Sequence, residues 1–207
     1  MVRILADAQR TAEFIELLRQ VGALLEGHFL LASGRHSDHY VEKFALLRWP
    51  RRVEQVCRDL LEGLPWPGID AVAGPTTGGI LLAYECARQL GVWAAYAERE
   101  SEGSSRRVFR RGTQFPPGTR VLVVDDILTT GGSVRETLRA LAEHPVEVVG
   151  AAVLVDRSTE PLDLGVPLVA LVRLEIPSWS PGACPLCANG LPLVKPGTTG
   201  APGMSAF

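Results

Sequence analysis

From residue 69 onward the chain alternates short, almost wholly apolar runs with stretches of helical periodicity, and few architectures accept that alternation. Residues 69–73, 92–97, 120–124, 146–155 and 167–174 read as strands, and residues 79–90 and 133–142 between them read as helices. A strand apolar on both faces has to be covered on both faces. These strands therefore belong in a central parallel sheet flanked by helices, an α/β fold. In such sheets ligands sit beyond the carboxyl ends of the strands, so the loops that follow strands are where function is sought.

The flanking segments have a different grammar. Ala12, Ile15, Leu18 and Val21 fall at helical spacing among Glu13, Glu16, Arg19 and Gln20, which predicts a helix over 8–26. Pro50 opens a second helix that ends near Gly63. Residues 28–44 between them are polar and predict an irregular segment. The tail from 177 holds six Pro and five Gly in 31 residues and is expected to be irregular or extended. The chain thus divides into N-terminal helices and a polar segment (1–68), an α/β core (69–176) and a Pro/Gly-rich tail (177–207), one structural domain overall.

Charge removes several function classes. Lys and Arg number 21 and Asp and Glu 23, a net charge of −2, so no basic excess draws the chain to nucleic acid or a membrane surface. No apolar run approaches the ~18–20 residues of a membrane span. The first residues lack the apolar core of a signal peptide, and four cysteines make no disulfide framework, so a cytoplasmic location is expected. Cys57 and Cys86 fall in predicted helices and read as core. Cys184-x-x-Cys187 is half of a zinc-ribbon pattern whose other half is missing. Two tails in a dimer could complete it; a metal-free knuckle is the alternative. His28, His36 and His39 match no usual zinc spacing and read as polar loop residues.

The sharpest signal is Val121-Leu122-Val123-Val124-Asp125-Asp126-Ile127-Leu128-Thr129-Thr130-Gly131-Gly132-Ser133 followed by an amphipathic helix. A buried strand ends in two adjacent carboxylates, and a Thr-Thr-Gly-Gly-Ser turn delivers the chain to a helix N-terminus. Backbone amides, hydroxyls and the helix dipole there form a phosphate cradle. Carboxylates suit hydroxyls that donate to them, so the pattern describes a phosphorylated sugar, with phosphate at 129–133 and diol at Asp125 and Asp126. A plain capping turn on Ser133 would explain neither the paired Asp nor the paired Thr. No Lys follows the glycines, which excludes a P-loop. Gly74-Pro75-Thr76-Thr77-Gly78-Gly79 is a second glycine-rich strand-to-helix turn, hence a second oxyanion cradle.

The run at 123–133 resembles the phosphoribosyl pyrophosphate (PRPP) signature of type I phosphoribosyltransferases. Gly27 to Tyr40 resembles the base-covering N-terminal segment, or hood, of the orotate-specific members. Residues 70–79 are similar to their pyrophosphate loop, and Val155-Asp156-Arg157 to their Asp-Arg pair. The resemblance implies a type I phosphoribosyltransferase-like fold with a small N-terminal hood. It also implies transfer of the 5-phosphoribosyl group from PRPP to orotate, giving orotidine 5′-monophosphate and pyrophosphate, with Mg²⁺ carried by phosphates and water and no direct protein ligand. Residue by residue it places Asp125, Asp126, Ile127, Leu128, Thr129, Thr130, Gly131, Gly132, Ser133 and Arg99 on PRPP. Thr129 and Arg157 go to orotate, and Asp125, Asp126 and Arg99 carry the catalytic roles. An Arg at a strand end can fork onto a planar carboxylate such as orotate's.

The sequence departs from that family in two places. Ala32 stands where a Lys usually precedes Ser-Gly. Glu98 to Gly103 keeps only Arg99 where an Arg-Lys pair, a further Lys and a His-Gly usually occur, although Arg106, Arg107, Arg110 and Arg111 follow. The resemblance implies a homodimer in which this arginine-rich loop closes as a mobile hairpin over the neighbouring subunit's site. A phosphoribosyltransferase for another base (a purine or uracil) and a PRPP-sensing regulatory protein are the alternative readings.

Overall fold

The computed structural model describes residues 2–31 and 33–196. In chain order it contains β1 (Arg3–Ile4), α1 (Ala8–Gln20), β2 (Leu24–Leu30), β3 (His36–Val41), α2 (Lys43–Leu47), α3 (Pro50–Glu62), β4 (Ala71–Pro75), α4 (Gly78–Leu90) and β5 (Trp93–Arg99). There follow β6 (Arg107–Val108), β7 (Thr119–Leu128), α5 (Gly132–Leu141), β8 (Val146–Asp156), β9 (Leu168–Arg173), β10 (Ser178–Trp179) and α6 (Pro185–Ala188). Seven strands form one sheet in the order β1-β9-β8-β7-β4-β5-β6. Every pairing in it is parallel except that of β5 with the short β6.

The apolar runs are continuous because both faces of the sheet are covered. Side chains alternate along a strand, and in β7 Leu122 and Val124 pack into one core while Val121 and Val123 pack into the other. β4 divides in the same way, Val72 to one side and Ala71 and Ala73 to the other. The first core is closed by Leu82, Ala83 and Cys86 of α4 and by Val53, Val56 and Cys57 of α3; the second by Val134 and Leu141 of α5. Cys57 and Cys86 are fully buried, as core residues should be.

Two expectations are corrected at the N-terminus. The first helix ends at Gln20, and residues 28–44 are not irregular. β2 and β3 form an antiparallel hairpin, and β10 of the tail adds a third strand to it. A register shift between Glu26 and Phe29 breaks the period-2 signal, so the consecutive His28 and Phe29 both turn inward. β3 buries His36 and Ser37 at its start, whose polarity hides their burial, and Val41 at its end. The tail is likewise more ordered than its composition indicates, with β10, a 3₁₀ turn at Pro181–Ala183 and α6.

The end of β4 packs tightly against the start of α4. A Cβ on Gly74 would lie 2.1 Å from the carbonyl oxygen of Gly79, and backbone cannot yield there. Gly74→Ala is therefore expected to cost about 1–3 kcal/mol of stability, lowering the Tm by roughly 2–12 °C in thermal unfolding. Gly182→Ala, where nothing lies within 4 Å of the added carbon, should leave the Tm near that of the parent protein.

Candidate active site

The carboxyl ends of β4, β5, β7 and β8 lie on one side of the sheet, and the candidate residues gather there. β7 continues four residues past the predicted end at Val124, pairing with β8 as far as Leu128 opposite Asp156. Asp125 and Asp126 are thus strand residues, each only 4% exposed. Asp125 accepts the Asp126 amide at 2.9 Å and the Ser133 hydroxyl at 2.5 Å. Asp126 accepts the Ile127 amide at 2.7 Å, and the Lys43 ammonium stands 3.0 and 2.9 Å from its two carboxylate oxygens. Burial and the neighbouring Asp126 push the Asp125 carboxyl up to about 6; the Ser133 hydroxyl, the Asp126 amide and Lys43 pull the other way.

The run that follows sorts into backbone and side-chain positions. Leu128 is buried in the second core, and its carbonyl accepts the Arg157 amide at 2.8 Å. Ile127 packs against the first core. Neither side chain is free for a ligand, so only their backbones face the site. Thr129 and Thr130 are exposed. Gly131 has φ 73° and caps α5, a conformation that glycine adopts without strain. Gly132 and Ser133 then open the helix, where the first amides have no intrahelical partner and the dipole is positive. Gly131, not Ser133, is the N-cap, because the Ser133 hydroxyl is turned to Asp125.

The second glycine turn lies against the first. A Cβ on Gly78 would fall 1.9 Å from an Asp126 carboxylate oxygen, so only glycine lets the start of α4 approach the acid pair. Arg107 fastens this turn. Its guanidinium donates to the Thr76 hydroxyl at 2.9 Å and the Ala97 carbonyl at 3.0 Å and meets Glu136 of α5 at 3.1 Å, at 4% side-chain exposure. The expectation of a mobile hairpin over 99–111 is corrected at this residue, which is buried and fixed. The other arginines of 99–111 are exposed and held within their own chain. Arg99 meets the Ser104 carbonyl, Arg106 meets Glu100 and Glu143, Arg110 meets the Glu100 carbonyl, and Arg111 meets Glu98.

Arg157 stands just past β8, beside the end of β7. Its side chain is half-buried, its buried Nε has no hydrogen-bond partner, and burial works against its charge. Its nearest electrostatic neighbour is Tyr40 on β3. A buried cation with an open donor is costly unless something anionic arrives to meet it. The turn holding it is set by Asp156, wholly buried, which accepts the Ser158 amide at 2.8 Å. The structure therefore brings together Asp125, Asp126, Thr129–Ser133 and Arg157, and places Arg99 at the end of β5, on the same side of the sheet. Lys43 and Arg107 were missed. Lys43 follows the polar segment directly, but only the fold shows that it returns to β7, 83 residues away.

Residues 45–168 match the family described as "Phosphoribosyl transferase domain". The chain is 46% identical to a protein named orotate phosphoribosyltransferase from Caldicellulosiruptor bescii over 185 residues, 89% of this chain and 96% of that protein. It is 46% identical to another of that name from Pelotomaculum thermopropionicum over 186 residues, 90% and 96% of the two chains. The crystal structure of orotate phosphoribosyltransferase from Aeropyrum pernix superposes with a TM-score of 0.66 at 33% identity, covering 77% of this chain and 93% of that one. Adenine phosphoribosyltransferase from Thermoanaerobacter pseudethanolicus, at 18% identity and a TM-score of 0.55 over 66% of this chain and 88% of that one, shares the fold alone.

The raised Asp125 carboxyl has a measurable consequence. Between the ordinary value of 3.8 and about 6 the folded chain holds the proton more tightly than the unfolded chain, so this group's contribution to stability falls as pH rises through that window. Asp125→Asn should therefore be more stable than the parent above pH about 6, by roughly 1–3 kcal/mol. The gain should vanish below about pH 4, as read from urea unfolding at a series of pH values. A variant equally or less stable at pH 8 would contradict this account.

Proposed function

The chain belongs to the orotate phosphoribosyltransferases of the phosphoribosyltransferase family, and from that premise we propose how its own residues carry out the transfer. The reaction joins the 5-phosphoribosyl group of PRPP to orotate, giving orotidine 5′-monophosphate and pyrophosphate in pyrimidine biosynthesis. The observation that carries the assignment of roles is the buried acid pair at the end of β7, met by the start of α5, with Arg157, whose buried Nε has no hydrogen-bond partner, just past the neighbouring β8.

Asp125 and Asp126 accept hydrogen bonds from the ribose hydroxyls, Lys43 offsetting their charge. The amides of Thr129 to Ser133, with the two threonine hydroxyls, hold the 5′-phosphate. Arg157 meets the orotate carboxylate and Thr129 the pyrimidine, with the hood as cover. Arg99 faces the leaving pyrophosphate. Positive charge develops on the ribose as pyrophosphate departs, and two carboxylates below the ring are placed to stabilise it. Orotate's ring nitrogen is acidic, so no strong base is needed. A neutral base would leave Arg157 without a counter-charge, which favours orotate over a purine or uracil.

The oxygens of Asp125 are taken by an amide and a hydroxyl and those of Asp126 face Lys43. The pair thus offers no open cage for a cation, which fits a Mg²⁺ that enters on the pyrophosphate of PRPP with water as its other ligands. When bound, such an ion offsets the charge of the departing pyrophosphate. None of the four cysteines is in a disulfide. Among the described residues no helix is long and apolar enough to cross a membrane. Leu81 and Tyr84 of α4 and Trp93 of β5 are large exposed apolar side chains, and they support a homodimer.

Two experiments test these roles. Arg157→Ala should raise the KM for orotate at least tenfold while changing that for PRPP little, about 1.4 kcal/mol or more of lost carboxylate binding; equal losses for both substrates would remove Arg157 from the base site. For the loop, a subunit carrying Asp125→Asn and Asp126→Asn is mixed with one in which Arg99, Arg110 and Arg111 are all Ala. Each alone should be at least tenfold impaired. Activity should return on mixing if the loop serves its neighbour; verified heterodimers without recovery would confine the loop to its own subunit.

A further inference from the structure

Apart from the acid pair, a second cluster of reactive side chains lies where the hood hairpin meets the tail. His28 of β2, His36 of β3 and Cys184 and Cys187 of the tail converge, with one ligand atom from each within 4.8 Å of all the others. His28 Nε2 lies 3.0 Å from His36 Nδ1, 3.5 Å from Cys184 Sγ and 3.7 Å from Cys187 Sγ, and Cys187 Sγ lies 3.3 Å from His36 Nδ1. A tetrahedral zinc ion with nitrogen at about 2.0–2.1 Å and sulfur at about 2.3 Å implies edges of about 3.3 Å between nitrogens and about 3.6 Å between nitrogen and sulfur. The observed separations scatter around those edges.

The protonation of His28 can be read from its other nitrogen. Nδ1 lies 2.9 Å from the Leu191 carbonyl, which can only accept, so Nδ1 carries the hydrogen and, in the neutral imidazole, Nε2 presents a bare lone pair. One lone pair satisfies one donor, yet three atoms crowd it. A hydrogen bond from a ring nitrogen to a backbone carbonyl is also what orients a metal-ligating imidazole. His28, His36 and Cys184 are 3–5% exposed, a burial that suits a filled site better than three unassociated polar groups, and Cys187 closes the cluster on its exposed side. His39 is not part of it; it pairs with Asp38 at 2.8 Å and faces Glu26 at 3.7 Å.

We propose that His28, His36, Cys184 and Cys187 bind a structural zinc ion that fastens the C-terminal tail to the hood within one chain. Two nitrogens and two thiolates in a tetrahedron select zinc, and four protein ligands leave no open position for catalysis. The second half of the Cys-x-x-Cys pattern is therefore supplied by two histidines about 150 residues earlier, not by a second tail. The backbone is arranged for the same purpose. Trp179 pairs with His36, and Val194 exchanges hydrogen bonds of 2.8 Å with the His28 carbonyl and the Leu30 amide. Fixing the hood in this way fixes the hairpin that carries Tyr40 and leads into Lys43.

The test uses the full-length protein, purified without chelators after growth with added zinc. Elemental analysis should find about one zinc per chain. Protein stripped of metal and refilled with Co²⁺ should show the visible bands of tetrahedral cobalt and a near-ultraviolet thiolate band. Cys187→Ser and His36→Ala should each lower the zinc content at least fivefold. Stripping should lower the Tm and make the two tail thiols reactive to a thiol reagent. Native protein without metal and without a cobalt spectrum would overturn the proposal, and that arm holds even if a variant fails to fold. Loss of zinc in Cys187→Ser but full retention in His28→Ala and His36→Ala would also overturn it, in favour of cysteines shared between two chains.

Discussion

Two carboxylates buried side by side at the end of a central strand set the terms for everything around them. Like charges at this distance raise each other's cost of ionisation, and burial raises it again. The chain answers with Ser133 on one acid and Lys43 on the other. Each answer fixes a larger element: Ser133 ties the start of α5 to β7, and Lys43 ties the end of the hood hairpin to the same strand. Gly78 comes so close that any side chain would displace Asp126, so α4 is held in place too. The site is the junction at which the two faces of the sheet and the hood meet.

The parts of the fold legible in the sequence are those whose stability is local or periodic. β4, β7 and β8 announce themselves because both faces are apolar, and α3, α4 and α5 because one face is. The acid pair and the glycine turn were legible because few other chemistries need that order of residues. β7 was read four residues short, since Asp125 and Asp126 look like a strand end until their hydrogen bonds are counted. The hood was read as irregular because a bulge breaks its alternation and histidines occupy its inward positions. Lys43 and Arg107 were invisible, as each acts on a residue far away in sequence, and no local pattern records a long-range ion pair.

The arginines at 99–111 show how composition alone misleads. Five cations within 13 residues look like one mobile basic surface. In the fold they differ in kind: Arg107 is a buried brace between the Thr76 turn and α5, while Arg99, Arg106, Arg110 and Arg111 sit on a hairpin whose own acids and carbonyls hold them. Anion binding by this hairpin would have to exchange those internal partners for phosphate oxygens, and such exposed pairs are weak enough to give way.

The pairing of β10 with β3 also sets an order in time. Ser178 and Trp179 complete a sheet whose other strands lie at residues 24–41, so the hairpin made first during synthesis waits for nearly the whole chain before its open edge is covered. Closing so long a loop is slow, and an uncovered strand edge is a template for pairing with other chains. The parallel core can assemble in the meantime, since apart from β1 its strands lie within residues 71–173. A chain that breaks off short of the tail would thus carry the glycine turn after β7 already built and the edge of β3 bare.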